Sequence, residues 1–322
     1  MMSNVVNLLK DQIIGALKPS VKSAIWLLRM MLPIMLVVSV LDFYGVIGYV
    51  SQFTTPLFNL IGLDGQAAFV YITSCLASIY SAIGVMALFG FDLREVTIMA
   101  SMCLIAHNLI IEGAIQSRTG VSFWGITTLR IVSSLICGYL LNLIIPVELS
   151  GKLYLDVVTV KAESFGQMLG IWATTSLRLI VKVIVIIYLL NVLQNILRAF
   201  NLIDKLTQLL YPIIALLGLP RSTSFLWILA NTLGLAYGGA VIVEEVSKGY
   251  IAKKEAALLN ISIAQTHSLV EDTILFVTLG VGALWLMVPR LIFSIVTVWG
   301  WRLFQRIKGN FRFSLKHAST SV

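Results

Sequence analysis

The sequence has few charged residues and very little cysteine or histidine. Charged side chains make up only 12% of its 322 residues, whereas a soluble domain contains about 25%. Hydrophobic residues make up 58%, and the mean hydropathy is +0.94. Several apolar stretches reach the roughly 20 residues that cross a bilayer as a helix. The composition therefore excludes an ordinary soluble domain and predicts an all-α polytopic membrane protein, since the short alternating strands of a membrane barrel are missing.

Other absences narrow the function. The cysteines Cys75, Cys103 and Cys137 lie in apolar segments without metal-ligand spacing, so we interpret them as packing residues. The sequence contains no P-loop and no nucleophile–base motif, so we expect neither ATP-driven chemistry nor an enzyme, and we assign no catalytic residue. The net charge of +8 comes mainly from interfacial segments and the C-terminal tail. It predicts contact with membrane lipids and no nucleic-acid partner.

Polar clusters interrupt two of the apolar helices. The first is 106–112, Ala-His-Asn-Leu-Ile-Ile-Glu, and the second is 266–272, Thr-His-Ser-Leu-Val-Glu-Asp. An ionisable group within a membrane span costs at least a few kcal/mol and is a functional-site hypothesis by default. Finding this arrangement twice predicts a duplicated protein with one site built from both halves.

An ordered series of matched residues supports the duplication. From histidine to arginine the spacing is 23 residues in both halves, His107 to Arg130 and His267 to Arg290. The matches in order are Pro56 with Pro212, Tyr80 with Tyr237, Glu95 with Glu255, His107 with His267, Gly120 with Gly280, and Arg130 with Arg290. Self-similarity in a fixed order indicates an internal repeat.

The repeat gives a domain plan. An N-terminal amphipathic segment covers 1–23, the first repeat 24–146, a connector 147–166, the second repeat 167–305, and a basic tail 306–322. Each repeat is expected to contain a long apolar helix (24–49 and 169–197), an amphipathic stretch (51–63 and 199–219), a segment with small and polar residues (66–90 and 222–247), a histidine-bearing helix (92–115 and 252–277) and a closing helix (121–146 and 281–304).

The third segment of each repeat decides the topology. If it folds back as a re-entrant hairpin, each repeat has three spans and the halves are inverted; if it crosses, the protein has eight spans and parallel repeats. Residues 41–95 contain Arg94 as their only Lys or Arg, whereas 197–255 contain six. In the turn before the closing helix the bias reverses, because Arg118 has no counterpart in 276–288. Opposite charge asymmetry favours inverted repeats with both termini cytoplasmic.

This doubled order of amphipathic helix, hairpin, interrupted helix and closing helix resembles the nucleoside-recognition or "gate" family. That family is similar to concentrative nucleoside transporters, Feo-type ferrous-iron transporter membrane domains and spore-maturation proteins. The resemblance rests on the doubled Pro-x5-Gly-Leu stretch and the doubled His-[Asn/Ser]-Leu segments. It implies a solute site between the hairpin tips and the interrupted helices, and a homodimer as one arrangement.

The resemblance implies a set of candidate binding residues, and helix geometry predicts how some of them pair. On the hairpin tips they are Ser78, Tyr80, Asn231 and Tyr237, and on the helices His107, Asn108, Glu112, His267, Ser268 and Asp272, with Arg130 and Arg290 as supporting charges. Within a regular helix, residues four apart share a face. Asn108 with Glu112, Ser268 with Asp272, and His267 with Glu271 are therefore predicted pairs. Residues five apart meet only if the helix breaks, which would bring each histidine to its carboxylate.

Three functions fit the clusters. The first is a secondary transporter of a small polar or anionic solute in a bacterial inner membrane, coupled to H⁺ or Na⁺ and needing no cofactor, with Glu112 or Asp272 as coupling groups. The second is a non-transporting scaffold or partner subunit whose polar groups only join helices. The third, a minority alternative, is divalent-cation transport by histidines meeting across the pseudo-symmetry axis. No dedicated metal centre is predicted. We favour the first.

Overall fold

The computed structural model describes residues 2–149, 151–155 and 162–318, and every regular element in these ranges is a helix. Parts of the predicted connector (150 and 156–161) and of the predicted tail (319–322) lie outside them. The helices of the first half are α1 Met2–Gly15, α2 Leu17–Phe43, α3 Val46–Asn59, α4 Ala67–Leu76, α5 Ile79–Met86, α6 Leu93–Ala106, α7 Leu109–Ser117 and α8 Phe123–Ile144. The predicted all-α class is confirmed.

The second half follows the same order. Its helices are α9 Phe165–Ala199, α10 Leu202–Leu216, a short 3₁₀ turn Arg221–Thr223, α11 Ser224–Thr232, α12 Gly234–Ser247, α13 Lys253–Thr266, α14 Glu271–Val277 and α15 Ala283–Ala318. The long helices α2 and α9 pack against each other, and α6 packs on α8 as α13 packs on α15. The corresponding helices of the two halves thus have corresponding neighbours.

Five segments of the described chain are long and apolar enough to cross a membrane. They are Val6–Phe43, Leu93–Ser117, Phe123–Ile144, Phe165–Ala199 and Ala283–Lys308. Their exterior carries many exposed leucine, isoleucine, valine and tryptophan side chains, which a lipid environment would cover. The chain is therefore a membrane protein. The sixth predicted span, the second histidine-bearing segment made of α13 and α14, is not one of these five.

The third segment of each half turns back on itself. Helices α4 and α5 pack side by side, and so do α11 and α12. In the second pair the approach is close: a Cβ placed on Gly238 would lie 2.7 Å from the Cα of Ala230. Because helices rise about 1.5 Å per residue, these elements of 8–14 residues are too short for the roughly 30 Å hydrocarbon core. This geometry favours hairpins over the eight-span alternative; the inversion of the halves across a membrane stays a prediction.

One backbone carbonyl accepts a side-chain hydrogen bond in each half. The Asn142 amide donates to the carbonyl of Leu60, and the Trp299 indole donates to that of Leu216. Leu60 and Leu216 are equivalent in the two halves, and each precedes a turn near Gly62 or Gly218, which has a positive φ. The acceptors are thus at matched positions, whereas the donors on the closing helices are not.

Some predicted boundaries were wrong. The first apolar helix was placed at 24–49, but α2 covers Leu17–Phe43 and the chain bends at Gly45. Gly45 has φ +75°, a conformation that glycine adopts without a Cβ penalty and that commonly ends a helix. At the C-terminus, α15 continues to Ala318, past the predicted start of the tail at 306.

Candidate functional site

Both histidine-bearing helices break at the same place. Helix α6 ends at Ala106 and α13 at Thr266, and the chain then passes through Asn108 and Ser268 with φ of 49° and 51°. These values lie in the left-handed region, which is uncommon for residues other than glycine and is most accessible to short polar side chains such as asparagine. The breaks therefore sit where the sequence changes from apolar to polar.

Backbone N–H groups left free at the breaks donate hydrogen bonds to carbonyls of the hairpins. The Asn108 N–H donates to the carbonyl of Ser74 at 2.8 Å, and the Ser268 N–H to that of Ala230 at 3.0 Å. The Val270 N–H also donates to the carbonyl of Asn231, at 3.1 Å. Since an unpaired buried backbone group is costly, these bonds attach each interrupted helix to the hairpin of its own half.

The two buried arginines satisfy the carbonyls at the breaks. Arg130 Nε donates to the Ile105 carbonyl and Nη2 to the His107 carbonyl, both at 2.7 Å. Arg290 does the same one repeat later, with Nε 3.1 Å from the Gln265 carbonyl and Nη2 bonded to the His267 carbonyl. Both side chains are fully buried, so neither extends to the membrane interface. The guanidinium groups act as caps of the two half-helices.

The breaks bring the two histidines together. Their Nε2 atoms are 3.3 Å apart and their ring centroids 4.7 Å. Glu112 lies against both rings, with Oε2 3.0 Å from His267 Nε2 and Oε1 3.5 Å from His107 Nε2. Arg130 Nη1 is 2.9 Å from Glu112 Oε2. We call His107, Glu112, Arg130 and His267 the central cluster; both halves contribute to it.

The backbone fixes the protonation of one side of each ring. His107 Nδ1 lies 3.1 Å from the Cys103 carbonyl, and His267 Nδ1 lies 2.9 Å from the Ile263 carbonyl. A carbonyl only accepts hydrogen bonds, so both Nδ1 atoms carry a proton and both Nε2 atoms hold the titrating position.

Asp272 and Arg290 do not reproduce the ion pair of the first half. Asp272 Oδ2 lies 3.6 Å from His107 Nε2, and no ion pair within 4 Å joins Asp272 to Arg290 among the described residues. An arginine and a carboxylate therefore pair between Arg130 and Glu112 but not at the matched position. The site is pseudo-symmetric in its backbone and asymmetric in its charges.

The central cluster has the donor atoms of a metal site. Ligand atoms of His107, Glu112 and His267 all lie within 4.8 Å of one another. In a tetrahedral site with metal–nitrogen bonds of about 2.0–2.1 Å, two ligand atoms are about 3.3 Å apart, which matches the two Nε2 atoms. The charge is less favourable. Arg130 Nη2 is 3.2 Å from His267 Nε2, so a divalent ion would be buried beside a fixed guanidinium.

None of the three predicted side-chain pairs forms a hydrogen bond among the described residues. Asn108 and Ser268 contact Glu112 and Asp272 through the backbone instead, because their carbonyls accept the N–H groups of those residues at 3.1 and 3.0 Å. Glu271 does not pair with His267; its Oε2 accepts from Gln194 of α9 at 3.3 Å. The pairing rule for continuous helices fails for Glu271 because the helix is interrupted between it and His267.

The four predicted hairpin residues differ in burial and in their contacts. Ser78 caps α5 at the turn of the first hairpin, accepting the Ser81 N–H, and Tyr80 follows it as a buried side chain. Asn231 is buried near the end of α11, with its Nδ2 donating to the Trp227 carbonyl and its Oδ1 without a partner. Tyr237 lies in the first turn of α12, is 47% exposed and stacks under Arg198 at 4.5 Å, and its role in binding stays a prediction.

Sequence reasoning missed several buried amides near the central cluster. Gln116, Asn260 and Gln265 are nearly or fully buried, on α7 and α13. A signal was available for Gln116, which follows Glu112 by four residues and so shares its helix face. A polar residue inside a span is itself unusual, and Asn260 and Gln265 precede His267 by two turns or less.

Comparison with known proteins supports the family resemblance. Residues 24–119 match the family described as Gate, nucleoside recognition, a range that contains the first hairpin, His107 and Glu112. The chain is thus a polytopic, all-helical membrane protein, and its residues 24–119 are similar to the nucleoside-recognition family. It is 27% identical over 256 residues to the uncharacterized membrane protein YvoD of Bacillus subtilis (strain 168), covering 79% of this chain and 82% of that protein. No solved structure matches it.

Proposed function

We propose that this chain is a secondary transporter of a small polar or anionic solute, coupled to H⁺, in a bacterial inner membrane with both termini cytoplasmic. The observation that carries the proposal is the central cluster, where ionisable side chains of both halves meet at paired helix breaks. Broken helices facing each other across two repeats are typical of transporter sites. A match to a nucleoside-recognition domain supports a transport role.

A proton fits the central cluster better than Na⁺ does. Glu112 Oε2 is 3.0 Å from His267 Nε2, and the two Nε2 atoms are 3.3 Å apart. Na⁺ is bound mainly by oxygen atoms, whereas imidazole changes its charge near neutral pH. One proton shared by His107, His267 and Glu112 would provide the coupling charge without any added ion.

Alternating access would move each hairpin with its interrupted helix. The backbone bonds from Asn108 to Ser74 and from Ser268 to Ala230 join these elements within each half. The paired helices α2 and α9 would form a fixed frame. Arg130 joins the halves through His267 Nε2, so protonation of the central cluster would change the contact that holds them together.

Proteoliposomes test the proposal. Purified protein is reconstituted with a trapped pH dye, and uridine, as a nucleoside, or succinate, as an anion, is added with and without an imposed pH gradient. We expect gradient-dependent solute uptake accompanied by proton movement, abolished by Glu112→Gln and retained by Glu271→Gln. Glu271 is the matched control because it is a carboxylate that contacts Gln194 and not the central cluster.

The same assay separates the alternatives. Uptake that ignores the pH gradient would contradict proton coupling. If neither probe moves and Glu112→Gln changes only the amount of folded protein, the scaffold function is favoured. Divalent-cation transport is favoured if Mn²⁺ or Fe²⁺ enters and the His107→Ala variant blocks its entry, since the donor atoms of the central cluster lie within 4.8 Å of one another.

A further inference from the structure

Two equivalent helix interfaces flank the central cluster, and they differ in polarity. One lies between α7–α8 and α13, and the other between α14–α15 and α6. Because matched residues of these helices differ by 160 in number, each residue of one interface has a counterpart in the other. Five pairs are polar in the first and apolar in the second: Gln116 with Phe276, Thr119 with Leu279, Ser133 with Phe293, Asn260 with Ala100, and Gln265 with Ile105. We call these sets the polar seam and the apolar seam.

Hydrogen bonds cross the polar seam between the halves. Gln116 Nε2 donates to the Asn260 carbonyl at 3.1 Å, and Asn260 Nδ2 donates to Thr119 Oγ1 at 2.7 Å. Further along, Gln265 Nε2 donates to Ser133 Oγ at 3.1 Å. All five side chains are buried. The polar seam is therefore a continuous row of hydrogen-bonding groups inside the protein.

Two acceptors in this row have no partner. The Oε1 atoms of Gln116 and Gln265 are buried without a hydrogen bond. A buried unpaired carbonyl is costly and indicates a position that water or a solute occupies. A cleft bordered by Gln116, Asn260 and Gly239 of α12 reaches this row, and in this conformation it is too narrow to hold a water molecule. The unpaired oxygens therefore point to hydration of the polar seam in a conformation in which this cleft is wider.

The apolar seam is closed by packing. Phe276 and Ile105 are fully buried, and together with Ala100 and Leu279 they belong to one hydrophobic core that also contains helices α2 and α9. Phe293 packs against the same core. Water has no polar partners along these side chains, so the apolar seam would stay dry.

The polar seam leads from the central cluster toward one end of the helices. Gln116 follows Glu112 by one helical turn, and Asn260 precedes His267 by two. Beyond them lie the basic residues Arg118 and Lys253, which the positive-inside rule places on the cytoplasmic side. The matching end, next to Leu279, has no Lys or Arg between 276 and 288.

We propose that the polar seam is a hydrated route linking Glu112 to the cytoplasm, while the apolar seam seals the central cluster from the opposite side. This inference rests on the proposed transport function, for which it supplies the route of the coupling proton. The sidedness comes from these five pairs. Ser101, which donates from α6 to the Trp285 carbonyl of α15 at 3.0 Å, and its counterpart Ile261 are a pair of the opposite kind. Access from the far side would require the halves to separate at Phe276 and Ile105.

Cysteine accessibility tests the route without any transport assay. Cys75, Cys103 and Cys137 are replaced by alanine, and single cysteines are introduced as Asn260→Cys and, in the control, Ala100→Cys. The two positions are equivalent in the repeats and equally buried. Inside-out and right-side-out vesicles are exposed to Ag⁺, which is small and does not cross the bilayer. The remaining thiols are then counted with a maleimide after denaturation.

We expect Ag⁺ to block Asn260→Cys from the cytoplasmic side only, under conditions that leave Ala100→Cys unmodified from both sides. Equal reaction of the two cysteines, no reaction of Asn260→Cys, or reaction from the periplasmic side would overturn the proposal. Where either variant fails to fold, Gln265→Cys and Ile105→Cys form a second matched pair nearer the centre. Labelling as expected in a protein that transports neither probe would leave the route standing and reject the transport function.

Discussion

Replacing Arg130 by glutamine removes the cation that faces Glu112, and Arg290→Gln is the matched control. Both arginines cap two carbonyls at the helix breaks, through equivalent bonds from Nε and Nη2. Only Arg130 forms an ion pair with a carboxylate, at 2.9 Å from Glu112. The loss of the carbonyl bonds is therefore common to both variants, and the difference between them reports the contacts of Arg130 with Glu112 and with His267 Nε2.

The difference should be large. Breaking a buried pair by removing one partner costs about 3–5 kcal/mol, because the remaining charge is left buried and uncompensated. At about 2 °C or more per kcal/mol, Arg130→Gln should lower the melting temperature by roughly 6 °C more than Arg290→Gln does. The double variant Glu112→Gln/Arg130→Gln removes both charges and should recover much of that difference.

Thermal unfolding of purified protein in detergent, followed by the size-exclusion peak that survives heating, measures these shifts. Four proteins complete the cycle: the natural chain, Arg130→Gln, Glu112→Gln and the double variant, with Arg290→Gln alongside. The reasoning is refuted if Arg290→Gln is as destabilising as Arg130→Gln. It is also refuted if the double variant is no more stable than Arg130→Gln alone.

Two further predictions concern the backbone. Gly238→Ala should destabilise the protein by about 1–3 kcal/mol, because the new Cβ would lie 2.7 Å from the Cα of Ala230. Gly48→Ala is the control: a Cβ at Gly48 has nothing within 4 Å, so this variant should be neutral in the same melting assay. At the second break, Ser268→Gly should melt near the natural temperature, while Ser268→Val should cost about 1–3 kcal/mol, since φ is 51° and a β-branched residue is strained there. Equal melting of the glycine and valine variants would contradict that account.

The sequence was sufficient for the class and order of the helices because both depend on local composition. Runs of apolar residues predict spans, and a change to small and polar residues predicts the hairpins. The doubled histidine segments also made it possible to predict that helix breaks would bring each histidine to its carboxylate. His107 and Glu112, five residues apart, do meet through such a break, but in the second half Asp272 approaches His107 and His267 approaches Glu112.

The partners across the break could not be predicted from spacing. The role of Arg130 depends on carbonyls 23 and 25 residues away in sequence, and its choice of Glu112 over Asp272 depends on how the two halves dock. Glu271 shows the same limit. Its helix position suggested His267, but its contact is Gln194 on a distant helix. Tertiary packing decides such contacts, and periodicity carries no information about it.

The unequal seams have a consequence for how the molecule arose. An ancestor with a single repeat would have formed a dimer of identical copies. Both helix interfaces of that dimer would have contained the same residues, either amides or phenylalanines. Once the repeat was duplicated, position 116 could carry glutamine while position 276 carried phenylalanine. Duplication thus permitted two unlike interfaces, which symmetry forbids in a dimer of identical chains.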